Sequence, residues 1–144
     1  MDSTQQILEQ SRSVAVVGYS AKEERASHWI SNYLEEQGYR VFRINPVLES
    51  SPKRPIFKSL ADLPETVDVV DVFRAPEHAP AIVDEAIAHG AKVVWMQPGA
   101  ENEDAAAQAR AAGLEAVVGA CMYAEHKKLA GEEDGSPKTR AETA

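Results

Sequence analysis

Gly18, Ser20, Lys22, Arg25 and Ser27 follow one another closely, directly after the apolar run Ser13-Val-Ala-Val-Val17. Gly18 lets the chain turn tightly and lets a ligand approach the backbone. Ser20 offers a hydroxyl donor, and Lys22 and Arg25 offer the cationic donors that phosphate prefers. An amphipathic helix opens just beyond, and its unbonded N–H groups and dipole favour an anion. The stretch therefore reads as a strand, a phosphate-sized loop and a helix N-terminus. Gly18-x-Ser20 is only a fragment of a dinucleotide signature, and a βα turn with solvated charges is the other reading of the same residues.

Other reactive side chains are few. His28, His78, His89 and His126 share no ligand spacing, so no metal site is expected. No Ser–His–Asp set emerges, so no catalytic residue is assigned. Cys121 is the one soft nucleophile, placed just after a strand, where it is either a thiol at a binding edge or a buried inert one. Asp71 near another strand end could orient a ligand hydroxyl or accept backbone N–H bonds. His126 is expected near a helix end, in a favourable dipole position.

The balance of charge narrows the partners. A formal net charge of −8 repels nucleic acid and anionic membrane surfaces overall. A small anionic ligand needs only a local cluster of cations. No apolar run approaches the roughly 18 residues of a membrane span, and Met1-Asp-Ser-Thr-Gln-Gln6 lacks a signal-peptide layout. A single cysteine excludes an internal disulfide framework and points to a reducing cytoplasm.

The elements that position these residues alternate along the chain. After a short leading helix come strand one (Ser13–Val17), a helix ending at Gly38 with Ser27 as its N-cap, and strand two (Tyr39–Ile44), closed by Asn45-Pro46. A connection rich in Ser, Pro and Lys follows. Strand three is Val67–Val72, strand four Lys92–Met96 and strand five Leu114–Val118, with helices between them and a last helix near Met122 to Ala130. The spacing predicts an α/β fold of the Rossmann-like, doubly wound kind. Its parallel sheet has about five strands in the order 3-2-1-4-5, with helices on both faces and flavodoxin-like 2-1-3-4-5 as the alternative. Residues 5 to 130 form the expected domain, and a disordered tail is expected from 131 to 144. Ligands of such sheets bind beyond the carboxyl ends of the strands.

Strand two ends without the carboxylate that NAD sites usually offer to the ribose. Cations gather instead: Lys22 and Arg25, with Arg43, Lys53 and Arg54 within reach. Gly18-Tyr19-Ser20 with Arg25 and Ser27, Asn45-Pro46, Val70-Asp-Val-Phe73-Arg74, Val94-Trp-Met-Gln97 with Gly99, and Cys121 before Glu125-His126 recur in an order that resembles the small, single-domain CoA-binding proteins of the YccU-like family. Their domain is similar to the nucleotide-binding part of the succinyl-CoA synthetase α subunit.

That resemblance covers about residues 5 to 130 and implies a Rossmann-like domain binding coenzyme A across the carboxyl edge of its sheet. It implies phosphate contacts at Gly18, Ser20, Lys22, Arg25 and Ser27, with Tyr19 inside the same motif. Asn45 and Pro46 would border the nucleotide, Phe73 and Arg74 the adenine or pantetheine side, and Gln97 and Gly99 the next strand end. Where relatives often carry prolines, this loop reads Ala21-Lys-Glu-Glu-Arg25-Ala26, and Glu23 and Glu24 weaken the local positive field. The expected function is a stand-alone module for CoA or acyl-CoA with no catalysis of its own. The alternatives are an NAD(H)-binding small oxidoreductase or redox sensor, and a subunit completing an acyl-CoA enzyme in trans. The protein partner and oligomeric state are left open.

Overall fold

The β-branched run Ser13–Val17 forms strand β1 and is buried along its whole length. A strand apolar on both faces must lie inside a parallel sheet covered from both sides. The computed structural model describes residues 3–131 and bears this out. The tail expected from 131 onward falls, beyond Gly131, outside the described residues. The remaining strands are β2 (Arg40–Ile44), β3 (Ile56–Phe57), β4 (Val69–Val72), β5 (Val93–Met96) and β6 (Glu115–Val118). The helices are α1 (Ser3–Gln10), α2 (Ala26–Glu36), α3 (Ala79–His89), α4 (Glu103–Ala111) and α5 (Met122–Leu129). All strand pairs are parallel, in the order β3-β2-β1-β4-β5-β6.

The fold is the expected Rossmann-like doubly wound sheet. Counted over six strands the order is 3-2-1-4-5-6, within which the five strands read from the sequence stand as 2-1-3-4-5, the alternative order, with one short strand added at the edge. That edge strand is Ile56–Phe57, which pairs with Arg43–Ile44 and which the sequence reads as connection. The run Val67–Val72 read as strand three is β4 and lies beside β1, Val14 opposite Val69 and Val17 opposite Val72. A two-residue strand among Ser, Pro and Lys has no periodicity to betray it.

Alternation along the strands sends side chains into two cores. Ala15, Val17, Val70, Val72, Val94 and Met96 pack on α3 and α4. Val14, Val16, Val69, Val93 and Trp95 pack under α1, α2 and α5. The chain turns from one face to the other between β1 and β4, so the carboxyl ends of these two strands mark the switch point of the sheet.

Two polar side chains sit in the second core against sequence expectation. Arg43 on β2 is buried rather than free for a ligand. Its guanidinium donates to both oxygens of Glu35, at 3.1 and 3.0 Å, and to Asn32 Oδ1 at 3.1 Å. It also lies over the Tyr19 ring, 5.5 Å from the centroid. Asp71 on β4 is opposite Val16 and Trp95, fully buried, and neither oxygen has a partner among the described residues. It accepts no backbone N–H, which removes one of the two roles the sequence offered for it. His126 on α5 meets the Tyr33 hydroxyl at 2.6 Å through Nδ1. It stands in the last turn of α5, as expected, and burial, and then Lys127 beside it, lower its pKa.

Burial pushes the Asp71 carboxyl well above the usual carboxylate range. A folded value raised above the unfolded one, about 3.9, means that the native state holds the proton more tightly. The associated stability is fully present below the unfolded value and falls as pH rises towards the folded one. Asp71→Val should abolish this fall and be more stable than the parent at pH 8, an advantage that shrinks at pH 4. Urea midpoints at the two pH values measure it; an equal difference at both would contradict the role given to Asp71.

Candidate functional site

Gly18 ends β1 with φ of +94°, a conformation that L side chains rarely adopt. A Cβ there would stand 2.8 Å from the Phe73 carbonyl oxygen and 2.9 Å from Arg74 Cδ. The backbone at the end of β4 therefore lies directly against the turn. On the other side the N–H groups of Gly18 and Tyr19 both donate to the Ile44 carbonyl of β2, at 3.1 and 3.2 Å. The turn is held between both neighbouring strands.

Short polar side chains fix the loop that follows. Ser27 Oγ accepts from the Ser20 N–H at 3.0 Å, and Ser20 Oγ accepts from the Lys22 N–H at 3.1 Å. Ser27 is therefore not the N-cap; that position is Arg25, whose side chain makes no cap bond. His28 Nδ1 lies 2.9 Å from the Ser20 carbonyl and 3.1 Å from Tyr19 Oη. A carbonyl only accepts, so this nitrogen carries the proton. Asn45 Nδ2 donates to the Tyr19 carbonyl at 2.8 Å, while Oδ1 accepts from Val47 and Leu48 N–H at 2.8 and 3.2 Å. Asn45 is thus a brace between the ends of β1 and β2.

A cavity of about 690 Å³ opens at these strand ends. Ten of the residues proposed from the sequence line it: Gly18, Tyr19, Ser20, Lys22, Arg25, Ser27, Asn45, Pro46, Phe73 and Arg74. Ala21, Ala26, Val47 and Leu48 complete the wall. The sequence reading missed these four, although they adjoin the quoted motifs directly. Lys22, Arg25 and Arg74 supply positive charge, and no carboxylate pairs with any of them among the described residues. Arg74 donates to His78 Nε2 at 3.2 Å.

Gln97, Gly99 and Cys121 do not line this cavity. Gln97 is buried and its Oε1 accepts the Met122 N–H at 3.0 Å, capping α5. The Gly99 N–H donates to Glu101 Oε1 at 2.9 Å. Cys121 is the half-buried N-cap residue of α5, packed against the second core. A smaller cavity of about 340 Å³ lies by the amino ends of β1 and β2, next to Arg12, Tyr39 and His126. Among the described residues no group of His, Cys, Asp or Glu could hold a metal ion, and no helix is long and apolar enough to cross a membrane.

A doubly wound sheet with a glycine turn, a helix N-terminus and unpaired cations around its switch-point cleft defines a nucleotide-binding type of α/β domain. The chain belongs to the family described as CoA binding domain, which it matches over residues 12–127. It is 31% identical over 121 residues to the protein YneT of Bacillus subtilis strain 168, covering 84% of this chain and 90% of that one. A solved protein of Pyrococcus horikoshii OT3 is 39% identical with a TM-score of 0.85, covering 89% of this chain and 90% of its own. The dinucleotide-forming acetyl-coenzyme A synthetase 1 of Ca. Korarchaeum cryptofilum shares the fold, with a TM-score of 0.68 and 21% identity over 83% of this chain and 28% of that larger one.

Replacing Gly18 by Ala forces a β-carbon against the Phe73 carbonyl and strains the left-handed turn, at a cost of about 1–3 kcal/mol. The melting temperature should fall by several degrees, as read by circular dichroism. An unchanged melting temperature would mean that the turn is not held where described.

Proposed function

We propose that this protein is a stand-alone binding module for coenzyme A, free or acylated, taken up in the cleft at the carboxyl ends of β1, β2 and β4. The observation that carries this reading is the set of three cations without carboxylate partners, Lys22, Arg25 and Arg74, grouped around the Gly18 turn in a chain of the CoA binding domain family. The residues present fit the ligand. Gly18 lets the end of β4 and the Arg74 side chain lie directly against the turn. The first N–H groups of α2, at Ala26 and Ser27, border the cavity and lie beyond the reach of intrahelical partners. A volume of about 690 Å³ is within the range of cofactor pockets.

In this reading the phosphates lie against the Gly18–Ser20 turn and the α2 N-terminus, where Lys22 and Arg25 supply counter-charge. Arg74 faces them from β4. Ser20, Ser27 and Asn45 hold the loop and aim its N–H groups rather than serving as the main contacts. Pro46, Val47 and Leu48 offer apolar wall, and Phe73 offers a ring to the organic part of the ligand. Coenzyme A, when bound, would present its thiol or acyl group for exchange with another protein.

Lys22→Ala and Arg25→Ala should each weaken coenzyme A binding by about 1.5–3 kcal/mol, the worth of a charge-assisted hydrogen bond, with the fold unchanged. Calorimetry measures this, and parental affinity in both variants would remove the loop from the site. Ligand at a hundredfold excess over Kd adds about 2.7 kcal/mol of stability, roughly 5–15 °C in melting temperature for a domain of this size. Coenzyme A should give a larger shift than NADH at equal concentration; the reverse order would contradict the assignment.

A further inference from the structure

The three cations of the cleft come from the β1–α2 loop and the end of β4, and none from the chain that follows β2. In doubly wound folds the ribose of a bound nucleotide lies over the end of the second strand, and an arginine nearby accommodates an added ribose phosphate. Coenzyme A carries such a group, a 3′-phosphate that NAD lacks. Of the cations on and after β2, Arg43 is excluded because Glu35 and Asn32 already hold it in the core. The exposed Lys58 donates to the Pro46 carbonyl at 3.3 Å.

Arg54 is differently placed. Its backbone is pinned by a tight turn, in which Ser51 N–H donates to the Arg54 carbonyl at 3.2 Å and Arg54 N–H donates to the Ser51 carbonyl and Oγ, both at 3.1 Å. Its half-buried guanidinium lies beside the cleft, not in its lining, and donates through Nη1 at 2.6 Å to the hydroxyl of Tyr19, a buried side chain whose residue follows the Gly18 turn. The same hydroxyl meets His28, whose Nδ1 proton also holds the Ser20 carbonyl of the glycine loop. The chain Arg54–Tyr19–His28–Ser20 ties the connection after β2 to the loop after β1. Arg40 and Arg43 on β2 are each neutralised by a glutamate. Arg54 has no carboxylate partner among the described residues, and its Nε and Nη2 make no bond there. A guanidinium with one N–H anchored and the rest of its fork unpaired is prepared for an anion with several acceptor oxygens.

We propose that Arg54 is the specificity-determining residue that binds the ribose 3′-phosphate of coenzyme A, with Tyr19 as the residue that positions it. This rests on the coenzyme A reading of the cleft. The test is calorimetric titration of coenzyme A and 3′-dephospho-coenzyme A into the parent protein, Arg54→Gln and Lys58→Gln. The parent should prefer coenzyme A by about ten- to a hundredfold, the range of one charge-assisted contact. Arg54→Gln should bring the two ligands within about threefold of each other while leaving affinity for the dephospho form unchanged. Lys58→Gln should keep the parental preference. A preference that survives in Arg54→Gln, or is lost instead in Lys58→Gln, overturns the assignment. So does an equal loss for both ligands, which marks Arg54 as a prop of the cleft, and so does a parent indifferent to the 3′-phosphate. A parent that binds neither ligand is a separate result, and overturns the coenzyme A reading itself.

Discussion

The contact on which the cleft depends is that between Gly18 and the backbone of Phe73. With a Phe73 oxygen 2.8 Å from where a β-carbon would lie, the two strand ends meet with no side chain between them. The Phe73 N–H donates to the Val17 carbonyl at 2.9 Å, so the β1–β4 ladder runs up to the point of contact. Gly18 and Tyr19 are tied at the same point to Ile44 of β2. The floor of the site is therefore backbone held on both sides by the central strands, the most deeply buried part of the molecule. Loops attached there inherit a fixed origin, which positions binding groups better than a loop alone can.

Around that floor the polar residues divide into two kinds. Ser20, Ser27, Asn45 and His28 have their hydrogen-bonding atoms engaged with loop backbone. Short polar side chains bond readily to nearby N–H and C=O groups and so set the path of a loop. Lys22, Arg25 and Arg74 have no carboxylate partner among the described residues and lend the cleft its charge. A net charge of −8 over the whole chain is compatible with such a site, because screening confines the effect of distant carboxylates to about 10 Å. Glu23 and Glu24 are within the loop itself and moderate its field.

Much of this was legible in the sequence, for identifiable reasons. The strand, turn and helix around Gly18 could be read because a β-branched run, a glycine and an amphipathic period each leave a local signature. Asn102, a residue type that favours the N-cap and stands before the acidic pair Glu103-Asp104, caps α4 with its Oδ1 accepting the Ala105 N–H at 3.0 Å. What could not be read depends on tertiary partners. Arg43 read as a cation within reach of the ligand loop, yet α2 covers its face of the sheet and Glu35 and Asn32 hold the guanidinium in the core. Gln97 carries a motif position but caps α5, a contact across 25 positions of sequence. Asp71 shows no local sign that both of its oxygens are buried without partners.

Backbone amides report most directly whether the Gly18 cleft is the place where coenzyme A binds. Isotope-labelled protein titrated with coenzyme A should show shift changes concentrated at Gly18–Ser27, Val47–Leu48 and Phe73–Arg74. The amides of Arg12, Arg40 and Glu115, at the amino ends of β1, β2 and β6, should stay still. Changes centred instead on Arg12, Tyr39 and His126 around the smaller cavity, or no changes at saturating ligand, would contradict the site.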